Sequence, residues 1–150
     1  MEPERRVRQS DGDLRWIGAI VLRPEPASVG RARRWFRTLA AHERLRCRLP
    51  DCELMLSELV TNAVKYGSAE GEWRIRVDWY RVGGTLRVAV RNPGAAAAPL
   101  PGEASHEDVG GRGLMIVRAL ADDWWSEPDG HDGVLVVFDV DKAWVSSDET

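Results

Sequence analysis

Two cysteines are all the chain offers, Cys47 and Cys52. That is too few for a disulfide framework, and no histidine spacing joins them into a zinc site, so they read as free thiols. No apolar run approaches the ~20 residues that a membrane-crossing helix needs. The opening MEPERRVRQSDGD is not followed by the apolar core of a signal peptide. A cytoplasmic protein without a membrane partner is expected. Positive charge is not in surplus either: 21 Lys and Arg against 24 Asp and Glu leave a net −3, which argues against nucleic acid as a partner. Internal repeats and long interior linkers are missing too. The 150 residues, 43% of them hydrophobic, therefore suit one domain with a real core. It is expected at 13–142, with frayed polar tails at 1–12 and 143–150.

What is present is patterned. RWIGAIVL, residues 15–22, reads as a strand stopped by RPEP. Ser28 is placed to cap a helix whose apolar face is Ala32, Trp35, Phe36, Leu39 and Ala40. Its other face carries Arg31, Arg33, Arg34 and Arg37, either a solvated surface or a dock for an acidic partner. A second helix follows, with Asp51 as its N-cap and Gly67 as its stop. In WRIRVDWY, Trp73, Ile75, Val77 and Trp79 alternate with polar residues, and Leu86, Val88 and Val90 alternate after the turn RVGG. Those two segments predict a β-hairpin with one buried face, ending at RNPG. Residues 95–110 lack either period and read as a lid or a disordered loop. GGRGLMIVRAL opens a third helix with Leu114, Val117, Leu120 and Ala121 on one face, and WWSEP, DGHDG and VLVVFDV close the sheet. The order predicts an α+β fold: a two-layer α/β sandwich, its mixed, mostly antiparallel sheet covered on one face by about three helices.

Two segments stand out chemically. In SELVTNAVKYG, Glu58, Asn62 and Lys65 recur at i, i+4 and i+7, one line along the second helix, beside an apolar stripe of Leu56, Leu59, Val60 and Ala63. Asn is a poor helix former, so its place there asks for a reason. An Asn oxygen is a hard ligand suited to Mg2+, and Glu58 one turn earlier could take a proton from an attacking hydroxyl. Lys65 either meets phosphate or stays in solvent. In GGRGL, a glycine-rich turn running into a helix can present N–H groups to phosphate, with Arg112 adding a charged fork. It is not a P-loop, because no Gly-Lys-Ser/Thr follows.

ELVTNAVKYG, VRNPG and GGRGLMIVRAL, in this order and spacing, resemble the N, G1 and G2 boxes of the GHKL ATPase superfamily, which includes gyrase, histidine kinases and mismatch-repair MutL proteins. The resemblance covers roughly residues 15–140. It is strongest to the small single-domain branch, the anti-sigma-factor serine/threonine kinases of actinobacterial type; with no histidine phosphoacceptor domain ahead of the ATPase part, a sensor kinase is not expected. It implies a Bergerat fold holding ATP and Mg2+. Glu58 would be the general base and Asn62 the Mg2+ ligand. Lys65, Asn92, Gly94, Gly110, Gly111, Arg112, Gly113 and Leu114 would line the nucleotide. The implied activity is phosphorylation of a Ser or Thr on an anti-sigma-factor antagonist, with a sigma factor as the other partner and a homodimer as a further option. One position departs from the family pattern. The G1 box usually offers an Asp to the adenine amino group, and this chain has Asn92. An amide oxygen can accept the same bond without the charge, at a loss of about tenfold in affinity. The alternative function is a non-catalytic, protein-binding regulator of the same fold with weak or lost ATP binding.

Overall fold

The structure, a computed structural model, describes residues 14–46, 48–66, 73–93, 109–130 and 133–144; the side chains of 109–113 are outside that description. The elements run β1 (Leu14–Leu22), α1 (Ala27–Glu43), α2 (Leu49–Tyr66), β2 (Ile75–Val82), β3 (Thr85–Asn92), α3 (Val109–Leu120), β4 (Asp123–Asp129) and β5 (Gly133–Val140). The five strands form one sheet in the order β1-β2-β3-β5-β4, with every neighbouring pair antiparallel. This is the α+β sandwich expected from the sequence.

Register decides which side chains meet the helices. Trp79 lies opposite Gly18 of β1 on one side and Val88 of β3 on the other, and Val88 in turn lies opposite Phe138 of β5. The ring of Phe36 on α1 stacks on Trp79, with centroids 6.2 Å apart. Gly18 makes room for Leu39 of α1 beside it. A Cβ there would fall 3.1 Å from a Leu39 methyl, and β1 has its register shift at this point, between Trp16 and Gly18. Around this centre Phe36, Met55, Leu56, Val60, Ile75, Val77, Leu86 and Val117 are buried.

Several local expectations need correction. Ser28 does not cap α1: Pro26 stands at the N-cap, and the buried Ser28 hydroxyl, inside the first turn, donates to the Arg23 carbonyl at 2.6 Å. Asp51 likewise lies inside the first turn of α2 rather than before it. Trp35, placed on the apolar face of α1, is 37% exposed. Trp73 precedes β2, half-buried against the core. Of the basic face, Arg37 forks onto Glu53 of α2 with two 2.8 Å bonds, Arg33 donates to Ser57, and Arg31 pairs with Glu25. The hydrogen bond from Arg37 holds the Glu53 carboxyl below its ordinary pKa.

Ala143 and Trp144, expected in a polar tail, belong to the core. The Ala143 N–H donates to the Gly84 carbonyl. The Trp144 indole N–H donates to the Glu43 carbonyl at the end of α1, at 2.8 Å, under the Arg81 guanidinium. Cys47, Gly67, the residues 1–12 and the lid residues 95–108 lie outside the described residues, whereas Val109 and Gly110 already belong to α3.

Candidate functional site

α2 builds the first wall of the site. Cys52, Met55, Leu56, Leu59, Val60 and Ala63 point into the core. This leaves Glu58 and Asn62 half-buried and Lys65 exposed on the flank. The line read from the sequence is therefore a real edge of the helix. Burial pushes the Cys52 thiol up to about 12, so it is no nucleophile at neutral pH.

Asn92, the last residue of β3, supplies the second wall. It is 8% exposed and lies opposite Val134 in β5. Its Nδ2 donates to the Ala63 carbonyl of α2 at 3.4 Å. A carbonyl accepts only from the nitrogen side of an amide, so this bond fixes which way the side chain is turned. The other arm, Oδ1, is buried and has no hydrogen-bond partner among the described residues. An unsatisfied buried acceptor costs about 1–3 kcal/mol, and such an atom in a folded protein calls for an explanation. An N–H donor on a ligand would remove that cost, and the amino group of adenine is such a donor. Gly133 lets the neighbouring strand pass this point: a Cβ there would meet the Asp129 carbonyl at 2.5 Å and the Asn92 carbonyl at 3.4 Å.

α3 supplies the third wall. Gly110, Gly111, Arg112 and Gly113 do not form a turn ahead of the helix, as the sequence suggested; they lie within its first five residues. The change keeps the chemistry, because the first four N–H groups of an α-helix have no acceptor within the helix and carry its positive dipole end. Leu114 is 4% exposed and part of the core. Gly94 and the Arg112 side chain lie outside the described residues. Ala63 and Gly133 were not foreseen. The first acts through a backbone carbonyl, which no motif marks, and the second reads in sequence as an ordinary turn glycine.

A separate pocket of about 320 Å³ is lined by Val82, Thr85, Arg87, Asp122, Asp123, Asp139 and Asp141. It contains none of the candidate residues, and four aspartates would repel a polyphosphate. Its chemistry does not suit a nucleotide.

The family of histidine kinase-like ATPase domains matches residues 22–137, from the end of β1 into β5 and well over half of the chain. The chain belongs to this histidine kinase-like ATPase family. A domain of this kind implies ATP binding, usually with Mg2+. No curated protein matches the chain. Among the described residues of this ATPase domain, no group of three His, Cys, Asp or Glu could hold a metal ion. Mg2+ needs no such cluster, since it is commonly held by one or two protein oxygens with substrate phosphates and water completing its shell. No described helix is long and apolar enough to cross a membrane.

Proposed function

We propose that this histidine kinase-like ATPase domain binds Mg-ATP and transfers its terminal phosphoryl group to a Ser or Thr of an anti-sigma-factor antagonist, with sequestration of a sigma factor as the alternative engagement. The observation that carries the nucleotide reading is Asn92, whose amide is held by the Ala63 carbonyl on one side and left with a buried, unpaired acceptor on the other. Bound Mg-ATP supplies the phosphoryl group and spreads its charge. Asn92 Oδ1 would accept the base amino group, the opening N–H groups of α3 would hold the phosphates, and Asn62 would offer its oxygen to the metal. Glu58, one turn from Asn62, accepts the proton of the Ser or Thr hydroxyl. Lys65, exposed at the end of α2, adds charge near the phosphates. The choice of antagonist and sigma factor is supported by the resemblance of three sequence boxes to the anti-sigma-factor kinase branch.

Asn92→Leu tests the reading, because it keeps the branched shape while removing the acceptor, along with the donor to the Ala63 carbonyl. Calorimetric titration should show about tenfold weaker binding of Mg-ATP, the worth of one hydrogen bond. Purine riboside triphosphate, which lacks the exocyclic amino group, should bind both proteins alike. Phosphotransfer to a candidate antagonist then tests the kinase step. If the wild type fails to bind ATP at millimolar concentration while a protein partner binds tightly, the kinase reading fails and the non-catalytic regulator stands.

A further inference from the structure

Arg48 lies just before α2, in the left-handed region at φ 58, a conformation unfavourable for a residue with a side chain. Its guanidinium engages three acceptors, one in α2, one in α3 and one in the link between α3 and β4. Nη2 donates to the carbonyl of Leu120, the last residue of α3. Nη1 donates to Asp122 Oδ2 at 2.8 Å, and Nε reaches Asp51 Oδ2 in the first turn of α2 at 3.5 Å. Asp122 is itself tied to the sheet: its Oδ2 accepts the Asp141 N–H at 2.7 Å, and its own N–H donates to the Asp139 carbonyl at 2.9 Å. A rigid planar fork fixes three such directions at once, whereas the three donors of a lysine ammonium rotate about one point on a flexible stem. The arrangement is one-third exposed, so it adds little to stability. What it fixes is direction.

That direction is the axis of α3. The start of α2 is tied to the end of α3 and the two helices pack together, so the opposite ends, bearing Asn62 and the glycine-rich start of α3, share the other side. Three of the first five residues of α3 are glycine and bring no side chain to pack. Its described anchors, the buried Leu114 and Val117 and the half-buried Ile116 and Leu120, all lie beyond that glycine-rich start, while Met115 is exposed. A 12-residue helix is about 18 Å long, so a small swing at Arg48 becomes a large displacement at the phosphate end.

We propose that Arg48 is a positioning residue for the phosphate end of the nucleotide site, holding α3 at the angle that brings its N–H groups to the polyphosphate beside Asn62. This rests on the ATP reading above. The test is titration of Arg48→Met with Mg-ATP and, separately, with adenosine, which reaches the base wall but has no phosphate. ATP affinity should fall about tenfold, within the range of coupling seen for remote residues, while adenosine affinity stays within about twofold. Arg48→Lys should resemble the Met variant, because charge without the fork does not set the angle. Equal losses for ATP and adenosine would mean a merely structural role, and no loss for either would mean no role; both overturn the proposal. If Arg48→Met does not fold, Asp122→Asn, which weakens one arm, carries the same two-ligand comparison. Wild-type protein that binds neither ligand would overturn the ATP reading and this proposal together, whereas wild-type binding with an unchanged ligand preference in the variants would overturn this proposal alone.

Discussion

On the helix side of the sheet, Ile75, Val77, Trp79, Leu86, Val88 and Phe138 are buried under α1, α2 and α3; on the opposite side Asp78, Arg87 and Asp139 are buried almost as deeply. The first face excludes water with apolar side chains alone, and the second combines paired charges with the buried Val82, Ala89 and Val137. Arg87 forks onto Asp139 with bonds of 2.9 and 3.0 Å and lies over the Trp125 ring. Asp78 accepts from the Trp16 indole, from two nitrogens of Arg76 and from Arg91. The two faces should therefore fail differently. Loss of an apolar side chain leaves a cavity whose cost is insensitive to pH, whereas loss of one charge strands its partner, and pH decides how badly.

The largest effect is expected on the apolar face. Phe36→Ala removes the ring stacked on Trp79 and should cost about 4 kcal/mol, read by urea unfolding, with the same loss at pH 5 and pH 8. On the charged face, Arg87→Met strands a buried carboxylate and should cost about 3 kcal/mol at neutral pH. Burial already pushes the Asp139 pKa up, against the pull of Arg87. An acid with a raised folded pKa favours the folded state at low pH and loses that advantage as pH rises through it. The Arg87→Met defect should accordingly shrink in acid, and the double variant with Asp139→Leu should recover most of the loss. A defect that ignores pH would erase the contrast between the faces.

The smallest effect belongs to Asp78. Burial works to raise its pKa, but hydrogen bonds from Arg76 and Trp16 and the nearby guanidinium charges outweigh it, and the net shift is downward from 3.8. Its stabilisation is present above 3.8 and is lost as pH falls through the lowered folded value. Asp78→Asn should cost about 1 kcal/mol at pH 7, since its arginine partners are partly in solvent. It should also flatten the acid limb of a stability-versus-pH curve, and an unchanged limb would show that Asp78 contributes nothing there.

Alternation made the helix-side residues of β2 and β3 legible in the sequence, because a period of two needs no knowledge of the partner strand. The same rule misread the other face. Arg87 and Asp139 are separated by 52 residues, and nothing local marks two polar positions that will neutralise each other. Caps failed for a related reason: Ser28 has the chemistry of a cap, but its hydroxyl found the Arg23 carbonyl instead. In the site, the line of Glu58, Asn62 and Lys65 follows from helical spacing alone. The second arm of Asn92 does not. Read from the sequence, Asn92 is an aspartate that lost its charge. Its bond to the Ala63 carbonyl means that an aspartate here would set two acceptors against each other, so restoring the family residue would forfeit the contact that orients the site.

The contact between Trp144 and Glu43 has a consequence in time. The indole that completes the end of α1 is 101 residues further along the chain than the carbonyl it binds. At a synthesis rate of about 5–20 residues per second, that carbonyl waits roughly 5–20 s after it is made. Once Asn92 is made, about half-way through this interval, α1 and the β2–β3 hairpin exist for the rest of it without the residue that bridges them. Closure of the fold is therefore a late and non-local event, of the kind that slows folding, and the nascent chain must keep Phe36 and Trp79 from unwanted contacts until the last strand and Trp144 arrive.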